Sequence, residues 1–287
     1  MIDPVAFYIW GWPVRWYGIL ISSAFLIGVF LASYLAKKRK VDPDTLWSIL
    51  LIVVPAAIIG ARLYYVLFNW SYYVDAPGEI IATWHGGLAV HGGILFGLLA
   101  LIFSCRHYKE NFWQIADLFV IPLVLGQSIG RWGNFINQEA YGTVTDLPWG
   151  MLIDGETRHP TFLYESAWDF LVFLVLFFFF KKSKKPGNVF LLYLVLYSIG
   201  RFMIEGFRTD SLMLGPLRAA QVVSLAMIVL GLIFLYWQNR KTKTGQNRKV
   251  QARQSREVRN EQARKAKAGK TQKRQSKEGT KKKRKTK

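Results

Sequence analysis

Two stretches of the chain carry residues suited to holding an anionic phosphate. In Gly130-Arg131-Trp132-Gly133-Asn134-Phe135-Ile136-Asn137-Gln138-Glu139-Ala140-Tyr141-Gly142, one guanidinium stands among three carboxamides and a carboxylate. The planar fork of an arginine matches phosphate oxygens, and carboxamides can serve the ester oxygens around them. On a continuing helix Arg131, Asn134 and Gln138 fall on one face at i, i+3 and i+7. The competing reading is an Arg131–Glu139 pair closing a helix end. The second stretch places Arg201, Glu205 and Arg208 at i, i+4 and i+7, again one face, with Arg201 inside the apolar run Val189–Phe207. A charge inside such a run is costly in lipid and faces a partner or a cavity. Glu205 can neutralise one arginine and leave positive charge for an anion; a purely structural ion pair is the alternative.

The remaining candidates are less specific. Trp84-His85-Gly86-Gly87-Leu88-Ala89-Val90-His91-Gly92-Gly93 contains His-Gly-Gly twice, six residues apart. Six residues turn a helix by about 600°, so the two imidazoles would not share a face. Its four glycines argue for close backbone packing or an unwound segment lining a cavity. Arg158-His159-Pro160-Thr161-Phe162-Leu163-Tyr164-Glu165 reads as a loop entering a helix with proline at its first turn. Tyr17, in Arg15-Trp16-Tyr17-Gly18, stands where aromatic anchors are ordinary. The chain has no P-loop, dinucleotide glycine fingerprint, GxSxG elbow or metal-binding spacing, so neither cofactor nor metal is expected.

The elements that must position these residues follow from charge and hydropathy. The 287-residue chain is 52% apolar yet has a formal net charge of +20. The excess is local: residues 239–287 hold 21 of the 38 basic residues and three acids. The sequence therefore divides into an apolar body, 1–238, and a basic tail, 239–287, too poor in apolar residues to fold alone. That tail is expected to be disordered and to rest on anionic inner-leaflet lipid; a specific RNA or ribosome contact is the alternative, and it needs more than charge. In the body, Trp16–Ala36 is a charge-free stretch of membrane-crossing length, and similar apolar stretches recur at 46–68, 86–105, 112–130, 162–180, 188–207 and 219–238, three of them with internal charges (Arg62; Asp117; Arg201 with Glu205). Backbone groups in lipid must be bonded within the segment, so these are helices. The expected fold is an all-α polytopic membrane protein with seven transmembrane helices.

Basic clusters follow every odd-numbered span: Lys37 to Lys40, Arg106 with Lys109, Lys181 to Lys185, and Arg240 with the tail. Positive residues mark the cytoplasmic side, which puts the N-terminus outside and the C-terminus inside. Nearly all the unusual polar residues then lie at the outer ends of the helices. Cys105, the only cysteine, is at the opposite end of its span and is a poor nucleophile candidate. An outward-facing cavity with two arginines, histidines, carboxamides and carboxylates fits an enzyme acting on a phospholipid head group. It fits less well an anion or lipid-head-group transporter, which would need an inward-opening route and has no visible inverted repeat.

The Gly130–Gly142 run closely resembles the signature of bacterial phosphatidylglycerol–prolipoprotein diacylglyceryl transferases. The resemblance extends to Asp3-Pro4-Val5, Trp16-Tyr17-Gly18, His91-Gly92-Gly93, His159-Pro160-Thr161, Tyr164-Glu165, and Gly200-Arg201-Phe202 with Glu205 and Arg208. It implies a multi-pass enzyme of the bacterial cell membrane that moves the diacylglyceryl group of phosphatidylglycerol to the lipobox cysteine of a prolipoprotein signal peptide, releasing glycerol 1-phosphate. It further implies catalytic roles for Tyr17, His91 (as base), Glu139 and Arg201. Arg131, Asn134, Asn137, Gly142, His159, Arg201, Glu205 and Arg208 would bind the lipid. Phe162 departs from the glutamine frequent in the family, and the basic tail is an addition to it.

Overall fold

The structure is a computed structural model that describes residues 3–153, 155–209, 213–238 and 240. Among the described residues seven helices are long and apolar enough to cross a membrane: α1 Trp16–Arg39, α2 Pro43–Phe68, α4 Val90–His107, α5 Phe112–Ile136, α6 Thr161–Lys182, α7 Asn188–Glu205 and α8 Ala219–Gln238. A short helix, α3 Trp70–Asp75, and two 3-10 turns, Pro77–Ile81 and Thr83–His85, lie between α2 and α4. Three antiparallel hairpins complete the elements: β1 Val5–Ile9 with β2 Trp12–Arg15, β3 Met151–Ile153 with β4 Glu156–Arg158, and β5 Met213–Leu214 with β6 Leu217–Arg218. The described residues fall into two units, one ending at Leu232 and the other beginning at Ile233, whose described part is the final turns of α8. The basic tail expected to be disordered lies outside the described residues except for Arg240.

Local chemistry explains where the helices start and stop. α1 ends at a basic cluster, with Lys40 left-handed at φ 58° and its N–H bonding to the Lys37 carbonyl; cations there complement the partial negative charge of a helix C-terminus. Asp42 then caps α2, accepting from the Thr45 N–H at 3.1 Å and its hydroxyl at 3.0 Å, with Pro43 in the first turn. Those two bonds hold the Asp42 carboxyl below the ordinary carboxylate range. Asn111 caps α5 in the same manner. The start of α7 is capped from another helix: buried Asp117 of α5 accepts from the backbone of Gly187 and Phe190, both at 2.8 Å. That bond pattern accounts for an acid inside a span.

The packed core lies where α1, α2, α5, α6 and α7 meet, around Leu35, Leu46, Ile49, Ile121, Leu176 and Val189. α2 and α4 pack through small residues. A methyl group added at Gly92 would lie 2.3 Å from the Gly60 carbonyl oxygen, and one at Gly60 would lie 2.3 Å from Phe96 Cβ. This is the close approach that small residues permit in lipid. The outward faces keep large apolar side chains exposed, among them Phe30, Leu51, Phe103 and Phe178. Lipid is the solvent such a surface needs.

Two boundaries near the site differ from the sequence-based expectation. α4 begins at Val90, not 86, because Gly86 and Gly87 adopt φ of 89° and 73° and leave the chain unwound. α5 runs on to Ile136, carrying Arg131 and Asn134 inside a helix. α6 begins at Thr161, one residue before the expected 162, and carries Tyr164 and Glu165 in its first turns.

Candidate active site

α5 and α6 are fastened together one turn from the first arginine. Ser128 Oγ donates to the Ser166 carbonyl and Ser166 Oγ donates to the Ser128 carbonyl, each at 2.9 Å and buried, while Trp132 Nε1 donates to Ser166 Oγ at 3.1 Å. Beside this lock, Glu165 is 4% exposed and gathers three arginines. Its carboxylate lies 2.9 Å from Arg131 of α5, 2.6 Å from Arg201 of α7 and 3.6 Å from Arg208 just beyond α7. Arg201 also pairs with Glu205 at 2.8 Å, one turn along the same helix. One buried carboxylate thus orients guanidiniums from separate parts of the chain, and Arg131 and Arg201 remain about a quarter exposed.

Arg131 does not pair with Glu139, contrary to the competing sequence reading. α5 ends with Asn137 at its C-cap, and Gln138 and Ala140 take positive φ of 53° and 58°. The reversal turns Glu139 back to accept from Asn134 Nδ2 at 2.9 Å and Asn137 Nδ2 at 3.4 Å. Gln138 consequently leaves the helical face it was expected to share with Arg131 and Asn134. Arg208 likewise lies past the end of α7, so it reaches Glu165 through the chain turn at Gly206 and Phe207 and not through helical spacing.

Gly142 is a close-approach site. It bridges to Arg208 and its N–H donates to the His159 carbonyl at 3.0 Å. An added Cβ would come within 2.7 Å of His159 Cβ and 3.0 Å of the Phe207 carbonyl oxygen. His159 in turn has its Nδ1 3.3 Å from the Tyr164 hydroxyl and packs on Phe207. Tyr17 joins the assembly through its ring, which lies against Gly133: a Cβ there would sit 2.2 Å from Tyr17 Cδ2. His91 is elsewhere. It is exposed in the first turn of α4 with its ring 6.1 Å from that of Tyr64, and among the described residues no hydrogen bond, ion pair or ring contact joins it to the arginines.

The segment leading to His91 is organised by Arg62, a charge inside α2 for which the sequence offered no partner. Its guanidinium donates to the carbonyls of Ile80 (3.0 Å), Gly86 (2.6 Å) and Gly87 (2.8 Å), and also to those of Glu79 and Ala82. Two further groups near the arginines escaped sequence reasoning. Glu165 was noted only as part of a motif, and Asp169, one turn farther along α6 and 3% exposed, was not noted. The signal was available as two acids at i and i+4 in an otherwise apolar stretch.

Two spaces adjoin the cluster. A cavity of about 10 Å³ lies among Arg131, Glu165, Asp169, Tyr197 and Arg201. An apolar groove of about 300 Å³ runs past Tyr164, Leu171 and Met203. Trp168 lines both; its Nε1 donates to the Leu196 carbonyl at 2.9 Å and its ring lies against Gly200, where a Cβ would sit 2.1 Å from it. A recess lined by partly exposed guanidiniums with an apolar groove alongside suits an amphiphile whose head group is an anion.

The family model for prolipoprotein diacylglyceryl transferase matches residues 4–237. The chain belongs to the prolipoprotein diacylglyceryl transferase family. It is 53% identical over 240 residues to a phosphatidylglycerol–prolipoprotein diacylglyceryl transferase of Trichormus variabilis, covering 78% of this chain and 85% of the relative. The protein of the same name from Clostridioides difficile is 48% identical over 242 residues, covering 84% and 98%. That of Clostridium botulinum is 46% identical over 252 residues, covering 84% and 99%. The matched region of this family member includes every residue of the arginine cluster.

Proposed function

We propose that the protein transfers the diacylglyceryl group of phosphatidylglycerol to the lipobox cysteine of a prolipoprotein signal peptide. The observation that carries this reading is the gathering of Arg131, Arg201 and Arg208 on Glu165, with the first two partly exposed beside an apolar groove. Glu165 takes Nη1 of Arg131 and of Arg201, and Glu205 takes Nη2 of Arg201; each guanidinium carries five N–H donors, so these two partly exposed forks can still donate to phosphate oxygens. The acyl chains would lie along lipid-facing surfaces such as the groove past Trp168.

Chemically the step is a displacement. The substrate's sulfur attacks the glycerol carbon that bears the phosphate, a carbon–sulfur bond forms, and the carbon–oxygen bond breaks with its electron pair moving to the phosphate. The thiol proton leaves to a base and is balanced by protonation of the departing glycerol 1-phosphate. Arginines aimed at the leaving group stabilise its growing charge in a low-dielectric site. Cys105 is 2% exposed and serves no part in this. His91 is the base in this reading, which requires the peptide to bring its thiol to the first turn of α4. Asn134, Asn137 and Glu139 form one polar patch for the glycerol end of the head group, Gly142 and His159 close its wall, and Tyr17 supports α5 beneath it.

The protein is further proposed to lie in the bacterial cell membrane with the site on the extracytoplasmic side and residues 239–287 as a separate basic tail against anionic inner-leaflet lipid. The transport alternative has no observation in its favour. The test is incubation of the purified protein with phosphatidylglycerol and a lipobox peptide, read by mass spectrometry. Diacylglyceryl addition is expected on the cysteine and not on a Cys→Ser peptide. Arg131→Ala and Arg201→Ala should each lower the rate by about 100-fold or more, the size expected for one lost oxyanion donor. Near-normal rates in both would overturn the phosphate assignment.

A further inference from the structure

Asp169 has a property that the transfer reaction as described leaves unused. It is 3% exposed, its Oδ2 has no hydrogen-bond partner, and it lines the 10 Å³ cavity with Arg131 and Arg201, a space for about one water. The charged groups facing it are Arg131 from α5, Glu165 on its own helix and Arg201 from α7, with the phenols of Tyr193 and Tyr197 alongside. Three guanidiniums, of Arg131, Arg201 and Arg208, stand against three carboxylates, of Glu165, Glu205 and Asp169, so the ionised set is neutral. A phosphodiester adds one negative charge to a recess of low dielectric, where an uncompensated charge is expensive. Glu165 and Glu205 are each held by a guanidinium at 2.9 Å or less, whereas among the described residues Asp169 enters no ion pair within 4 Å.

Resting on the reading of this site as a phosphodiester site, we propose that Asp169 takes up a proton when an anionic head group binds at Arg131 and Arg201, and thereby selects anionic over zwitterionic lipid. A zwitterionic head group brings its own compensating cation and leaves Asp169 ionised. Lower pH therefore strengthens binding of the anion, by about tenfold per unit for one linked proton, until the free protein is itself protonated at Asp169.

The experiment is calorimetric titration of the full chain in maltoside micelles with dihexanoyl phosphatidylglycerol, in pairs of buffers differing in ionisation enthalpy. Close to one proton should be absorbed per lipid bound at the alkaline end, with affinity rising about tenfold per pH unit lowered. Asp169→Asn should bind with no proton uptake and a flat pH dependence. Dihexanoyl phosphatidylcholine should bind weakly and take up none. Binding by the unsubstituted protein without proton uptake, or unchanged uptake by Asp169→Asn, overturns the proposal. If the asparagine variant does not fold, Asp169→Glu decides: a displaced pH midpoint supports the assignment and an unchanged profile overturns it. Failure of the unsubstituted protein to bind phosphatidylglycerol at any pH would instead sink the phosphodiester reading.

Discussion

A carboxylate that serves three arginines makes Glu165 the most consequential single residue of the cluster. Removing it leaves guanidiniums facing one another without their shared counterion, a change of the kind that costs about 3–5 kcal/mol when a buried pair is broken. Glu165→Ala should therefore lower the thermal midpoint in detergent and reduce transfer. Glu165→Gln keeps the shape and loses the charge, so it should recover much of the stability but little of the rate. Equal midpoints for Glu165→Ala and the unsubstituted protein would show that the arginines hold their places without it. Glu139 invites a milder expectation. Its partners are two carboxamides, and Glu139→Gln should keep the fold while weakening lipid binding, read as a rise in KM with kcat nearly unchanged.

Between helices, the tightest constraints fall on glycines and on one buried arginine. A side chain at Gly92 meets the Gly60 backbone, which cannot step aside, so Gly92→Val should separate α4 from α2 and leave little folded protein after detergent extraction. Arg62 acts differently. Its five carbonyl contacts fold the stretch from Glu79 to Gly87 back on α2 and deliver the chain to His91. Arg62→Ala should expose that stretch, with faster hydrogen exchange and proteolysis at residues 79–87, while protection around Ser128 and Ser166 stays as it was. Lysine cannot reproduce a planar fork with five donors, so Arg62→Lys should rescue only part of the protection.

For the molecule as a whole, the proposed direction across the membrane can be read by labelling. The buried Cys105 gives little background, so single cysteines can report sidedness. Asp146→Cys should react with a membrane-impermeant thiol reagent on intact cells, and Lys184→Cys only after permeabilisation. The reverse pattern would invert the proposed orientation and put the arginine cluster on the wrong side for an exported peptide. The tail should be separable from the chemistry: ending the chain at Gln238 should leave peptide transfer within about twofold and weaken salt-sensitive binding to anionic vesicles, a screened electrostatic effect.

Much of the architecture was legible in the linear chain because lipid imposes a one-dimensional rule. A span must be apolar for about 20 residues, whatever it later packs against, so all seven were visible and their edges erred by only a few positions. The arginines and their carboxamide neighbours were legible for a related reason, since charge at membrane depth is rare. The Arg201–Glu205 pair, one helical turn apart, was legible too; what the chain could not reveal was pairing between distant segments. Arg131 chose Glu165 over Glu139 because α5 ran on to Ile136 and two left-handed residues then turned Glu139 away. Arg62 found its five carbonyls only once the glycine-rich segment folded back, and Asp117 found the start of α7 only across a helix interface. Composition and period decide which segments enter the membrane, because each segment meets that solvent alone. Tertiary structure decides which charge satisfies which, because in a dry interior a partner must be within contact distance, and contact joins residues that are far apart in the chain.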